Sequence, residues 1–451
     1  MKKIFQYIML AVVTIAMASC TSDIEETTAT TGKNNVQLVV GEFPAFGDSQ
    51  TRAIGTPDEG KTSWAVGDEL LLEMTSKTLG TKYAAFKYNG SSWELASGEL
   101  SYKEDEVPTF PHVYYAPNYK WEAGKLVLKE GKVAGTDEYI EGKAEITGNG
   151  QSIIVKFSEA TRNYSRLRIA TIPNKPITVS INYFTPAGSS QAVFPNYALT
   201  SDEKGNAYLY GTFVKNSSFT VKYGGAPLAT HHFYEVTGNA KSYALDATVV
   251  SANSAEEIKS AIKQEVANSK TAIRLNLASD AGANEFKTIR EAFKNVQDAT
   301  IDLTLIGCKE IPADGLKELK ALKSIFLPDV TKIGMNALSR CVYLEEICAP
   351  NVSTIDERAF AGFIMLEKVT LGELTDVRGE ANSGGGIFDD DNWAQYIDLY
   401  LPKNQEVMKG EFDENSNQYI WKPTGEKYFA SPDYDNGIFL GYQFNSVKSW
   451  E

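Results

Sequence analysis

The chain has 451 residues, of which 44 are Lys or Arg and 58 are Asp or Glu, giving a formal net charge of −14. Hydrophobic residues make up 43% of the sequence, so the composition excludes a wholly disordered chain, a collagen-like chain and a small disulfide-stapled scaffold. The acidic balance also argues against a nucleic-acid binder, which needs a basic face to displace counterions from phosphate.

The first 20 residues predict a secretory signal. Lys2 and Lys3 precede an apolar run, Ile4 to Ala18, that is too short to span a bilayer comfortably. The run ends before Cys20, and small residues ahead of a cysteine resemble the lipobox of bacterial lipoproteins, where the thiol is lipidated. An ordinary cleaved signal with an incidental cysteine is the alternative. Residues 21–35 are acidic and Thr-rich and predict a flexible tether. We therefore expect an outer-membrane protein of a Gram-negative cell, anchored by lipid alone and exposed at the surface.

From residue 36 to about 250 the sequence is typical of antiparallel β-sheet. Val36, Leu38 and Val40 alternate with their neighbours, and Asn89-Gly90 separates two alternating runs as in a tight hairpin. Because no amphipathic helix interrupts these runs, the pattern favours β-sandwiches. The length of the region favours two sandwiches, over 36–150 and 151–250.

Three motifs of this region resemble the fimbrillin-like proteins. The sequence Trp64-Ala65-Val66-Gly67-Asp68 resembles their W-x-x-G-D turn, and Tyr114-Tyr115-Ala116-Pro117 resembles their aromatic strand end. Phe157-Ser158-Glu159-Ala160, leading to Ser165–Ile169, stands where their second sandwich begins. The resemblance implies paired transthyretin-like sandwiches on secreted lipoproteins that build, anchor or tip pili.

The same resemblance draws attention to Arg52. Family members can be cut after an arginine near this position, which frees a groove for a strand donated by another subunit. Arg52 is then either a proteolytic processing site or an ordinary exposed residue. The second interpretation is favoured by the C-terminus, because another domain stands where polymerising fimbrillins carry the donor strand.

Beyond residue 250 the apolar spacing becomes helical. Ser254 and Glu257 form a capping box, and residues 251–300 predict a helical N-terminal cap. A 22-residue repeat follows over 301–424, most clearly in Leu322, Leu344 and Leu366. These coils resemble leucine-rich repeats of the BspA type, which implies an α/β solenoid. The register breaks at Gly384–Gly386, which predicts a longer loop in the last coil, and residues 425–451 predict a C-terminal cap.

Alternate residues of each coil's short strand should point inward and outward. The outward residues form a predicted ligand-binding face, because solenoids bind partners on extended sheet surfaces. This outward ladder consists of Asp302, Thr304, Ser324, Phe326, Glu346, Cys348, Lys368, Thr370, Asp398 and Tyr400. A solvated sheet without a partner, or one covered by the neighbouring sandwich, is the alternative.

No catalytic, metal or cofactor site is expected. The sequence lacks H-E-x-x-H, G-x-S-x-G, P-loop and dinucleotide-binding motifs, and it contains only 3 His and 4 Cys residues. We therefore expect a non-enzymatic multidomain adhesin whose repeats bind a surface protein or glycan while the sandwiches act as a stalk. A fimbrial anchor or tip subunit that contacts other fimbrial subunits is the alternative.

Overall fold

A computed structural model describes residues 36–44, 46, 60–103, 106–147, 152–156, 162–193, 195–377, 386–388, 394–403 and short segments from there to 450. The predicted signal and tether with Cys20, the processing site Arg52 and the motif at 157–160 lie outside the described residues. The described chain is mostly β-sheet, with α-helices only at Ala255–Ala267 (α1) and Ala283–Phe293 (α2). No helix in these ranges has the length and apolar character needed to cross a membrane.

The chain divides into two compact units. The first holds the described residues within 36–44, 61–131 and 140–156, and the second holds residues 46 and 60, 132–139 and those from 162 onward. Strands of the first unit are Gln37–Val40 (β1), Glu69–Ser76 (β2), Gly80–Tyr88 (β3), Trp93–Gly98 (β4), Thr109–Tyr115 (β5), Tyr119–Glu122 (β6), Lys125–Leu128 (β7), Ile140–Thr147 (β8) and Ser152–Lys156 (β9).

Seven of these strands form one sheet in the order β1-β9-β8-β5-β2-β3-β4. Strand β8 changes partner along its length, since residues 140–142 pair with β5 and residues 143–147 pair with β9. Both halves of the sheet contribute to one core, in which Leu38 and Val155 belong with Leu72 and Phe86. The sheet is therefore folded over on itself. Strand β9 lies beyond the boundary predicted at residue 150 and completes this sheet.

The Trp64–Asp68 turn begins β2 and is held by polar contacts. The Trp64 indole donates to the Gly41 carbonyl at 2.8 Å, and its ring meets those of Phe43 and Tyr115 edge to face. Asp68 Oδ2 accepts the Ala65 amide at 2.7 Å. Gly67, at φ +98°, adopts a backbone conformation that side chains disfavour. These contacts give the W-x-x-G-D motif a structural role in closing the turn.

A second sheet begins the second unit. Its strands are Ser165–Ala170 (β10), Pro176–Pro186 (β11), Asn196–Thr200 (β12), Asn206–Tyr223 (β13), Ala226–His232 (β14) and Ser242–Asp246 (β15). Strand β13 is 18 residues long; its first part pairs with β10, and its last part pairs with β11 and β14. The hairpin of β13 and β14, with Gly224-Gly225 at its turn, projects from this sheet.

A buried ion pair supports this second sheet. Arg162 donates from Nε and Nη2 to the Glu138 carboxylate, at 3.1 Å each, and both residues are buried. Tyr164 donates its hydroxyl proton to the same carboxylate at 2.5 Å. Burial and the Glu138 charge raise the pKa of Tyr164 well above its ordinary value. Removing Glu138 or Arg162 would leave an uncompensated buried charge, whereas removing Tyr164 would take away one hydrogen bond to the Glu138 carboxylate.

The rest of the described chain forms what we call the parallel stack, residues 250–403 with 446–449. Its strands are Val250–Ser251 (β16), Ala272–Asn276 (β17), Ile301–Ile306 (β18), Glu310–Ile311 (β19), Leu322–Phe326 (β20), Lys332–Ile333 (β21), Glu346–Ala349 (β22), Thr354–Ile355 (β23), Lys368–Leu371 (β24), Asp376–Val377 (β25), Asp398–Leu401 (β26) and Ser446–Ser449 (β33). Eight of them form a parallel sheet, β16-β17-β18-β20-β22-β24-β26-β33, and four form a smaller one, β19-β21-β23-β25.

Short hairpins lie between β26 and β33. Their strands are Val407–Met408 (β27), Glu411–Asp413 (β28), Gln418–Ile420 (β29), Lys427–Tyr428 (β30), Gly437–Phe439 (β31) and Tyr442–Phe444 (β32). Strand β27 pairs with β30, β28 with β29, and β31 with β32. The chain then returns to the large sheet as β33.

Equivalent residues of successive coils lie next to each other in the stack. Ile325, Ile347 and Val369 are paired in neighbouring strands and are fully buried. Leu322, Leu344 and Leu366 belong to the same core, which extends from Ala252 to Val447. Each coil thus buries its apolar side only against its neighbours, as in other repeat architectures.

We predict that Leu344→Ala lowers the free energy of unfolding by about 2–5 kcal/mol, because it leaves a cavity in this continuous core. The measurement is urea denaturation followed by circular dichroism. Tyr343→Ala is the control, since Tyr343 is the exposed neighbour of Leu344 and exposed substitutions usually change stability by less than about 0.5 kcal/mol. Equal effects of the two substitutions would contradict the stacked core.

Candidate functional site

The outward ladder forms two columns on the large parallel sheet. Strand pairing aligns Asp302, Ser324, Glu346, Lys368 and Asp398 in the first column, and Thr304, Phe326, Cys348, Thr370 and Tyr400 in the second. The residues between the columns, Leu303, Ile325, Ile347, Val369 and Leu399, all lie in the core. Since neighbouring side chains of a strand point to opposite faces, the ten ladder residues share the outer face.

Part of this face is buried. Thr304, Ser324, Cys348 and Thr370 are only 2 to 8% exposed. Phe326 is half-buried. Strand β14 of the second sheet lies against β20. Lys222, on β13, is close enough to Cys348 for its positive charge to favour the thiolate and so counteract part of the burial effect on the pKa of that thiol. The second sheet therefore covers the middle of the ladder.

Specific hydrogen bonds hold the β13–β14 hairpin on the stack. Arg274 Nε, on β17, donates to the Leu228 carbonyl at 2.6 Å, and Asn351 Nδ2 donates to the Gly224 carbonyl at 3.3 Å. Burial lowers the pKa of Arg274. A Cβ atom at Gly224 would lie 3.1 Å from Pro328. The absence of a side chain at this turn therefore allows the close approach.

The later part of the ladder is accessible. Lys368 is 46% exposed in its side chain, pairs with Glu346 at 2.8 Å, and has its Nζ 5.6 Å from the centre of the Tyr400 ring. Burial lowers the pKa of Lys368, but the hydrogen bond and charge of Glu346 outweigh burial and raise it overall. Lys368 therefore stays a cation between a carboxylate and an aromatic ring.

The C-terminal strand extends the columns beyond the predicted residues. Ser446 aligns with Asp398 and Lys448 with Tyr400, and Ser446 Oγ donates to Asp398 Oδ1 at 2.6 Å. The Trp450 indole donates to the Leu371 carbonyl at 3.0 Å, at the end of β24. Sequence reasoning missed Ser446 and Lys448 because the hairpins before β33 remove the 22-residue spacing. The available signal in the sequence was the Tyr- and Phe-rich segment 425–451, which predicted a C-terminal cap but not the strand within it.

We call Glu346, Lys368, Asp398, Tyr400 and Lys448 the open face. It presents two carboxylates, two ammonium groups and one aromatic ring, all exposed or half-buried. Such a mixture suits recognition by charge, hydrogen bonding and ring contact at a polar surface.

The described thiols and histidines form no reactive cluster. Burial raises the pKa of Cys308, Cys341 and Cys348 to about 12 each, so these thiols are protonated at neutral pH and unreactive. His231 and His232 are exposed on β14. Within the described ranges, no three His, Cys, Asp or Glu side chains are grouped so as to hold a metal ion.

Comparisons with known proteins include a distant structural similarity. No protein-family description matches the sequence, and no curated protein matches it. A solved structure of a Bacteroides fragilis protein, named provisionally as a cell adhesion protein, is similar at a TM-score of 0.24 and 11% identity. The match covers 48% of this chain and 93% of that chain.

We predict that Gly224→Ala loosens the hairpin and exposes Cys348, because Gly224 has φ +54° and a Cβ there meets Pro328. The measurement is the rate of iodoacetamide labelling of the native protein, resolved by peptide mass spectrometry. Labelling of Cys348 should rise at least threefold. Gly80→Ala is the control, since Gly80 also has positive φ but no atom lies within 4 Å of its Cβ position. Unchanged labelling in Gly224→Ala would contradict the covering role of the hairpin.

Proposed function

We propose that the protein is a lipid-anchored adhesin of the outer membrane that attaches its cell to a surface protein or glycan. In this proposal, Cys20 carries the lipid, the two folded β-sheets form a fimbrillin-like stalk of transthyretin-like sandwiches, and the parallel stack is a leucine-rich-repeat module. The proposed action is multi-contact binding without catalysis, cofactor or nucleic acid.

The open face is the observation that carries the proposal. Its residues come from strands of successive coils, so one rigid sheet sets the spacing of all its charges. A preorganised array loses little entropy on binding, which favours specific recognition of an extended partner. The covered part of the ladder supports the same interpretation, because the hairpin fixes the stack to the second sheet.

We predict that the double variant Lys368→Ala/Tyr400→Ala weakens partner binding at least tenfold, because it removes the central cation and the ring of the open face. The measurement is binding of the purified protein to an array of matrix proteins and glycans. The matched control is Lys120→Ala/Tyr234→Ala, which removes an exposed lysine and an exposed tyrosine outside the stack. If both double variants bind as the wild type does, the open face is not the adhesive surface.

A second proposal, a pilus anchor or tip subunit, is favoured by the position of β1. This strand precedes Arg52 in the sequence, lies at the edge of its sheet and pairs with β9. It contributes Leu38 to the core of the first unit. Cleavage after Arg52 would separate β1 covalently from the rest of that sheet, and loss of β1 would expose the edge of β9 to a donated strand.

Sequencing the N-terminus of the mature protein from cells distinguishes the two proposals. A lipidated start at Cys20 is expected for the adhesin. A start at Ala53 is expected for the subunit that exchanges strands, and it would contradict a permanent anchor at Cys20. Arg52→Ala is the control, because it should abolish a start at Ala53 without affecting lipidation.

A further inference from the structure

The last coil of the parallel stack departs from the regular spacing. Lys368 pairs with Asp398, a spacing of 30 residues, whereas Glu346 pairs with Lys368 at the regular 22. The additional residues bring Phe388 and the short helical turn Ala394–Tyr396 beside the coil. A pocket of about 210 Å³ lies beside these segments, with Phe388 and Tyr396 in its lining.

Most of the side chains that line the pocket are aromatic or aliphatic. Phe360, Phe363 and Phe388 are buried in its wall, whereas Ile364, Met365 and Tyr396 line it and stay exposed to solvent. Three large apolar side chains exposed around one opening lose contact with water when a partner covers them. The observed exposure therefore indicates a contact surface.

One negative charge lies at the pocket. Lys323, Glu345 and Glu367 occupy equivalent positions of successive coils, and their backbones are hydrogen-bonded in that order. Lys323 lies 3.7 Å from Glu345, but among the described residues no Lys or Arg forms an ion pair with Glu367, which lines the pocket. A partner that brings a cation next to an apolar group therefore complements this site.

The size of the pocket indicates the kind of partner. Sites for small organic ligands usually enclose about 300–1,000 Å³, which exceeds the 210 Å³ found here. A protein interface, in contrast, often depends on one large side chain inserted into a pocket and surrounded by weaker contacts. The volume is suited to such an anchor.

We infer that this pocket binds an aliphatic or aromatic side chain of a partner protein, next to a Lys or Arg that pairs with Glu367. None of the pocket residues belongs to the outward ladder, although Glu367 and Ile397 directly precede Lys368 and Asp398 in the sequence. The inference does not depend on the proposed adhesive function.

The test uses the full mature chain as bait for a phage-displayed library of random heptapeptides. Enriched peptides should carry one apolar residue next to Lys or Arg, and a synthetic peptide with the enriched sequence should bind in fluorescence polarisation. Met365→Ser should weaken that binding about tenfold, whereas Met335→Ser should change it less than twofold. The pair is matched, since Met365 and Met335 are each 45% exposed and only Met365 lines the pocket.

The charge is tested with Glu367→Gln. This variant should weaken binding of the Lys-containing peptide severalfold. It should not change the binding of a second peptide in which Gln replaces that Lys. Equal binding by Met365→Ser and wild type would overturn the inference. Enrichment of acidic peptides would also overturn it. Sedimentation velocity gives a further check: if the wild type forms a dimer that Met365→Ser abolishes, a second copy of the chain occupies the pocket and the inference is overturned.

Discussion

The 22-residue spacing of the coils is the constraint on which the second half of the molecule depends. No coil has enough apolar surface to form a core alone, so Leu344 is buried only because Leu322 and Leu366 occupy equivalent positions beside it. The same spacing fixes the outer face, because a strand that buries Ile347 must direct Glu346 and Cys348 away from the core. The 22-residue spacing therefore determines both the burial of the core and the arrangement of side chains on the outer face.

This constraint also explains why the outer face is divided. The hairpin of β13 and β14 covers the middle of the ladder, where Ser324 and Cys348 are small and buried. Farther along the sheet, Lys368 and Asp398 carry charges that would be costly to bury without partners. The covered ladder residues Ser324 and Cys348 are neutral, and the charged residues Lys368 and Asp398 stay available for a partner.

Much of this could be predicted from the sequence, because repeats and alternation are local patterns. The spacing of Leu322, Leu344 and Leu366 gave the stacked coils, and alternation gave the inward and outward residues. The parallel pairing of β1 with β9 was not predictable, since it joins segments more than 100 residues apart. The change of partner along β8 was not predictable either, because no local pattern marks the residue at which it occurs. A sheet covered by the neighbouring sandwich was one of the alternatives that the sequence left open, but which residues are covered depends on a distant hairpin.

In the proposed adhesive function, attachment of the cell would place a pulling force on the parallel stack, and the location of the open face would decide how that force is transmitted. The second sheet is hydrogen-bonded to the stack through Arg274, on β17, and through Asn351, just after β22, whereas Lys368 and Tyr400 lie in the following coils. A force applied at Lys368 or Tyr400 must pass through the contacts between neighbouring coils to reach the hairpin. In that path the strands are joined by many parallel hydrogen bonds and one continuous core. No coil can separate without exposing apolar side chains of its neighbours, so the stack resists unwinding as a unit.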